Sequence, residues 1–239
     1  MYKPKISGFS YVRNGFRFGY PFLESILSAL PVCDEWVVAV GDSEDGTREA
    51  IENLGSPKIR IIDTLWDENN REGGREFARQ CDLALAETTG DWLLHLQADE
   101  VLHEDDLRYI PELVEKFNPV PRVEALLFDF FHFWGDYKYI RVSRGVPRME
   151  IRLMRNQPGL GAYLDSQGFR VFRSHTERGK GKGRKLRVKQ AGIPVYHYNY
   201  VRHPVDMQRK MVGFHRYWHD DDWLKKHDGQ ETFDYSRVD

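Results

Sequence analysis

Apolar and polar positions change period several times along the chain. Residues 6–12 alternate and then meet Arg13-Asn14-Gly15, the pattern of a strand followed by a turn. Residues 18–30 place Phe22, Ile26, Leu27 and Leu30 on one helical stripe, which Pro31 closes. Trp36-Val37-Val38-Ala39-Val40 is a continuous apolar run, as in a strand covered on both faces. It runs into an Asp- and Gly-rich turn at 41–47, and a helix is expected from there through Leu54. Residues 58–63 predict a third strand. Residues 73–87 predict a third helix with Phe77, Cys81 and Leu85 facing inward. A fourth buried strand, Trp92 to Leu96, runs straight into Gln97-Ala98-Asp99-Glu100, with a helix expected around 105–117. Strands and helices alternating at this spacing predict an α/β fold: a parallel sheet flanked by helices on both sides.

The pattern changes in the second half. Residues 124–134 are apolar and aromatic and 137–143 alternate, as in a long strand or a hairpin. Residues 149–155 alternate again. Shorter strands are expected at 167–172, 185–189 and 195–199. Residues 204–226 read as one final helix, with Met207, Met211, Phe214 and Trp218 on one side. That stripe is expected to face inward; exposed, it would mark a homodimer or a membrane-surface contact. No linker composition separates the halves, so 1–239 reads as one domain, with 1–122 and 123–239 as its two parts.

Composition narrows the class only a little. The chain has 239 residues, 41% hydrophobic and 30% charged, with a net charge of −2. That balance gives no global attraction to nucleic acid, and no nucleic-acid partner is expected. Cys33 and Cys81 lack metal-type spacing and read as buried thiols in a reducing compartment. No apolar run reaches the length of a membrane span and no leader pattern opens the chain, so a cytoplasmic protein is expected, with peripheral contact at the inner membrane face left open.

The chemistry gathers at strand ends. Asp42 and Asp45 follow the second strand, and Asp99 and Glu100 follow the fourth. In an open parallel sheet both pairs face the same edge, where ligands bind. Carboxylates there can hold a divalent cation that bridges phosphates. Asp99 and Glu100 read equally well, on their own, as a cap for the following helix.

Four segments in order resemble the family 2 glycosyltransferases of GT-A fold. Val12-Arg13-Asn14-Gly15 resembles the opening strand and turn, and Asp42-Ser43-Glu44-Asp45-Gly46-Thr47 the Asp-rich turn. Gly73-Gly74-Arg75-Glu76-Phe77-Ala78-Arg79-Gln80 resembles the start of the family's third helix. Gly90-Asp91-Trp92 through Gln97-Ala98-Asp99-Glu100 resembles its DxD segment. The resemblance implies a Rossmann-like, mostly parallel central sheet with an appended mixed-strand region and a C-terminal helix. It implies inverting transfer of a hexosyl group from a nucleotide diphosphate sugar to a glycan, lipid-linked or protein acceptor, with Mn2+ or Mg2+. Val12, Asn14, Asp42, Asp45 and Gln97 would contact the nucleotide, and Arg75 or Arg79 its phosphates. Asp99 would bind the metal, with His197 as a second ligand, and Arg202 and Lys210 would be solvated charges or diphosphate contacts. Glu100 is expected mainly as a helix cap.

Gln97 stands where the family has the first DxD aspartate. An amide can accept a hydrogen bond but adds no charge to hold a cation. A non-catalytic nucleotide- or glycan-binding protein therefore stays open as an alternative. A sugar nucleotidyltransferase is disfavoured because Val12-Arg13-Asn14-Gly15 lacks a glycine-rich phosphate loop. Asp165, after a Gly-rich turn, is the first candidate for general base, with Glu150 and Glu177 as rivals. Residues 178–185 alternate glycine and cation, as in a hairpin tip or a lid. Trp134, Trp218 and Trp223 are candidates for stacking on a sugar, with core packing as the alternative.

Overall fold

The computed structural model describes residues 2–174, 177–178, 183–227 and 231–236. Four strands of the first half are parallel: β1 (Ile6–Val12), β2 (Glu35–Val40), β3 (Ile59–Asp63) and β4 (Trp92–His95). They lie in the order β3-β2-β1-β4. Their connections carry α1 (Phe22–Ala29), α2 (Thr47–Glu52) and α3 (Arg75–Ala86). After β4 come the two-residue β5 (Glu100–Val101) and α4 (Tyr109–Phe117).

The second half extends the same sheet rather than building another core. Its strands are β6 (Ala125–Trp134), β7 (Asp136–Ile140), β8 (Met149–Arg155) and β12 (Val188–Tyr200). β8 pairs antiparallel with both β4 and β6, β12 runs parallel to β6, and β5 closes the edge antiparallel to β12. β7 folds back on β6 as a hairpin. A small second sheet holds β9 (Leu160–Tyr163), β10 (Gly168–Val171) and β11 (Arg184–Lys185). Two helices, α5 (Pro204–His215) and α6 (Asp221–His227), follow β12.

Both faces of the sheet are buried, which explains the continuous apolar runs. Trp36, Val38 and Val40 pack on one side with Ile26, Ile51 and Leu94. Val37 and Ala39 pack on the other with Phe9, Cys81 and Leu93. Each such side chain contributes roughly 1.5–3 kcal/mol of burial free energy. Cys33 and Cys81 are both buried and unpaired. No helix among the described residues is long and apolar enough to cross a membrane.

Gly8 shows how tightly β1 and β2 meet. It sits opposite Trp36, and a Cβ at Gly8 would overlap the indole ring. Trp36 is fully buried and its Nε1 donates to Ser10 Oγ at 3.1 Å, so the ring has no room to retreat. Gly8→Ala is expected to cost about 1–3 kcal/mol by overpacking. Urea unfolding measures this; an unchanged midpoint would mean that the ring relocates freely.

The predicted helix over 204–226 is two helices. Asp220 Oδ1 accepts a hydrogen bond from the Trp223 backbone N–H at 2.9 Å and starts a new helix there. Its apolar side faces inward: Met207 is fully buried and Phe214 stacks on Phe77 with ring centroids 5.1 Å apart. This removes the basis for reading the stripe as a dimer or membrane surface. The separate strands predicted at 185–189 and 195–199 are largely one long strand, β12, with irregular pairing between Gln190 and Pro194. Gly179 to Lys182, the centre of the glycine–cation stretch, lie outside the described residues.

Candidate functional site

The carboxyl ends of β1 and β4 open onto a cavity of about 1020 Å³. Val12 and Asn14 reach it from β1, and Gln97, Asp99 and Glu100 from the segment after β4. The second half closes it with Glu150 and Arg152 on β8, Asp165 on the β9–β10 loop, His197 on β12 and Lys210 on α5.

Asp99 is 6% exposed and faces an ammonium, a guanidinium and an imidazole. Lys210 Nζ lies 3.1 Å from Oδ2, Arg202 Nη2 3.5 Å from Oδ2, and His197 Nε2 3.4 Å from Oδ1. Burial alone would raise the Asp99 carboxyl; Lys210, His197 and Arg202 outweigh it and hold the group well below the usual range. Burial pulls Lys210 down to about 8, partly opposed by Asp99. His197 is oriented from behind. His132 Nε2 donates to the Pro147 carbonyl at 2.7 Å, leaving its Nδ1 to accept from His197 Nδ1–H at 2.8 Å. Burial and the neighbouring His197 push His132 down to about 4, which keeps it neutral for that acceptor role.

Asp165 is placed by a strained loop. Leu164 and Ser166 on either side adopt φ of 54° and 68°, unusual for residues with a side chain. Ser166 is fully buried and shares a 2.6 Å hydrogen bond with Tyr11 Oη on β1. It also accepts from Gln97 Nε2 at 3.3 Å. The loop is thus tied to the ends of β1 and β4. Gly74, at φ 69°, lies under Asp165, and a Cβ there would come within 2.6 Å of the Asp165 Cβ. Asp165 Oδ2 accepts from Gln167 at 3.4 Å, while Oδ1 is buried without a hydrogen-bond partner. Burial raises the Asp165 carboxyl above its ordinary value.

A sequence profile described as glycosyl transferase family 2 matches residues 20–174. The chain belongs to glycosyl transferase family 2. No curated protein matches it. Among solved structures it is similar to residues 1–349 of TarS from S. aureus, at 14% identity and a TM-score of 0.47. That match covers 88% of this chain and 64% of that one. It is also similar to glucosyl-3-phosphoglycerate synthase from Mycobacterium tuberculosis, crystallised with Mn2+, UDP and phosphoglyceric acid, at 20% identity and a TM-score of 0.36. There the match covers 54% of this chain and 43% of that one. The chain thus spans less than two thirds of the length of either.

In this family 2 chain several expected contacts are arranged differently from the sequence reading. Neither Asp42 nor Asp45 lines the cavity. Asp42 pairs with Arg13 at 2.9 Å. Asp45 accepts from Thr47 Oγ1 at 2.5 Å and from the Arg17 backbone N–H at 2.7 Å, so it braces the turn. Asn14 does reach the cavity and also accepts from the Glu44 backbone N–H at 3.0 Å, joining the two turns. Neither Arg75 nor Arg79 lines the cavity. Arg75 pairs with Glu72 at 2.7 Å, and Arg79 with the fully buried Glu76 at 2.9 Å. Glu76 also accepts from Gln80 Nε2 at 2.7 Å, so Arg79 satisfies a buried acid instead of facing phosphate.

Glu100 caps no helix. It is fully buried in a two-pronged ion pair with Arg152, at 2.7 and 2.5 Å, and accepts from the Gln97 backbone N–H at 3.0 Å. Arg152 outweighs the effect of burial and keeps the Glu100 carboxyl below its usual range. Glu150, next to this pair, is instead pushed up to about 7 by burial. Glu177, the other rival to Asp165, accepts from the Arg173 backbone N–H at 2.7 Å and does not line the cavity. Trp134, Trp218 and Trp223 do not line it either; the tryptophan that does, among the described residues, is Trp66, beside rings such as Tyr11, Phe130 and Tyr217, and the sequence reading passed it over.

The residues do not fit the divalent cation that the family resemblance implies. Asp99 and His197 are close enough to share one ion, but no third His, Cys, Asp or Glu completes such a group among the described residues. Gln97 offers only a neutral amide oxygen, and Glu100 is engaged by Arg152. The ammonium of Lys210, 3.1 Å from Asp99, would repel a dication at the carboxylate meant to hold it.

Proposed function

We propose that the chain transfers a sugar from a nucleotide diphosphate sugar to an acceptor hydroxyl, with inversion at the sugar carbon. The observation that carries this reading is the family match over 20–174, which includes the Gln97–Glu100 segment at the floor of a cavity of donor size. The bond between the anomeric carbon and the diphosphate oxygen breaks, and the nucleoside diphosphate leaves with that electron pair. The acceptor oxygen bonds to the opposite face of the carbon. Asp165, which lines the cavity, removes the acceptor proton. Ser166, through Tyr11 and Gln97, fixes the loop that carries it. Cationic side chains around Asp99 face the charge that grows on the diphosphate. A hexosyl donor, a glycan, lipid-linked or protein acceptor, and a cytoplasmic location fit this reading.

A screen of nucleotide diphosphate sugars for protection against thermal unfolding tests it, because only a bound donor raises the midpoint. A pH–rate profile tests the base. Asp165 acts deprotonated and its carboxyl is raised, so kcat/KM falls toward acid through a pKa above the ordinary Asp value of about 3.9. An acid limb at or below that value would count against it.

A second reading rests on Gln97. The missing carboxylate is compatible with a non-catalytic nucleotide-binding protein, which predicts binding without release of diphosphate.

A further inference from the structure

We propose that Lys210, backed by Arg202, takes the place of a divalent metal in this chain and anchors the diphosphate of a nucleotide directly. This rests on the reading of the cavity as a nucleotide diphosphate sugar site.

The charge count around Asp99 points to an absent anion. One carboxylate faces an ammonium and a guanidinium, Lys210 at 3.1 Å and Arg202 at 3.5 Å. All three groups are nearly closed to solvent, with side-chain exposures of 8%, 7% and 2%. Buried charges are ordinarily paired, because desolvating an uncompensated ion is costly. Here one positive charge remains after Asp99 is counted, before His197 is considered. Arg202 Nη2 carries the same signal: it is buried and has no hydrogen-bond acceptor. Its other nitrogens are occupied, Nε by the Phe18 carbonyl at 2.8 Å and Nη1 by the Tyr198 carbonyl at 2.9 Å.

Of the two cations Lys210 lines the cavity, as do Asp99 and His197, and Arg202 stands behind it. Its ammonium has three donors. One goes to Asp99 and one to the Asn199 side-chain oxygen. The third reaches the Asn199 carbonyl only at 3.4 Å, a weak bond that a phosphate oxygen can replace. Asp99 then positions the ammonium rather than a metal. Asn199 and Asp99 hold the Lys210 ammonium, and all three line the cavity. An ammonium supplies one charge where a dication supplies two; Arg13 and Arg17, which line the same cavity, can add to it.

Metal-free binding follows. The test is calorimetry on the full chain with UDP, GDP and inorganic pyrophosphate, in EDTA and in Mn2+. The expected result is binding of at least one probe in EDTA, with Mn2+ changing its Kd by less than about threefold. Lys210→Ala is expected to weaken binding in EDTA by roughly tenfold or more, the loss of a charge-assisted contact, and Lys210→Arg to retain most of it. Binding that appears only with Mn2+ overturns the inference and leaves the transferase reading standing. No binding in either buffer overturns both. Lys210→Ala leaves Asp99 without its nearest cation and risks misfolding, so a second measurement uses the unaltered chain. Titrated with Mn2+ alone and followed by electron paramagnetic resonance, it is expected to leave all the ion free. Stoichiometric Mn2+ uptake, lost in Asp99→Asn, would contradict the proposal.

Discussion

Asp165→Asn is expected to lower kcat by about 10²–10⁴, the usual contribution of a positioned general base. Donor binding should change little. The amide keeps the shape of the carboxylate but cannot take the acceptor proton. The loop should hold its form, because its anchors are the Ser166 bonds to Tyr11 and Gln97 and not the Asp165 carboxylate. Separate measurement of kcat and of donor Kd decides the point. A variant that loses donor affinity and turnover in parallel would show Asp165 to be a binding group. A variant with wild-type kcat would pass the role to Glu150, the other carboxyl in the cavity raised by burial.

Arg152→Met is expected to cost about 3–5 kcal/mol of folding stability, because it leaves the Glu100 carboxylate buried without its partner. Arg152 is 2% exposed and Glu100 is fully buried. The pair joins β8 to β5 and lines the cavity. For a chain of this size the loss corresponds to a fall in Tm of roughly 6–20 °C. The double change Glu100→Gln with Arg152→Met removes both charges and should recover most of it. Urea unfolding of the single and double variants checks this. A single variant within about 1 kcal/mol of wild type would mean that water reaches the pair.

The parallel half of the fold was legible because its signals are local. The apolar runs at β2 and β4 and the turn residues between strands each lie within a few positions. β5 and β9 were missed because two to four residues carry no readable period. The break between α5 and α6 was missed because apolar spacing continues through it while a side-chain cap restarts the helix.

The site was legible only in part, for a related reason. Asp99 and Asp165 stand out by position after a strand and after a Gly-rich turn. Their partners do not. Lys210 is 111 positions from Asp99 in the chain, and Arg152 is 52 from Glu100. An arginine on an alternating strand reads as a solvent contact until the opposing carboxylate is known. Glu100 read as a cap because an acid before a helix ordinarily faces water. The arginines of α3 read as phosphate contacts through the family resemblance alone. The buried Glu76 on the same helix claims Arg79, and one residue type gave no warning of that.

Release of nucleoside diphosphate from a panel of activated sugars, measured with wild type and Asp165→Asn in the same buffer, bears most directly on the proposed function. Wild type should release the diphosphate from at least one donor, and the variant should bind that donor yet release it about 10²-fold or more slowly. A wild-type chain that binds a donor tightly and releases nothing, even with acceptors supplied, would instead make this a binding protein.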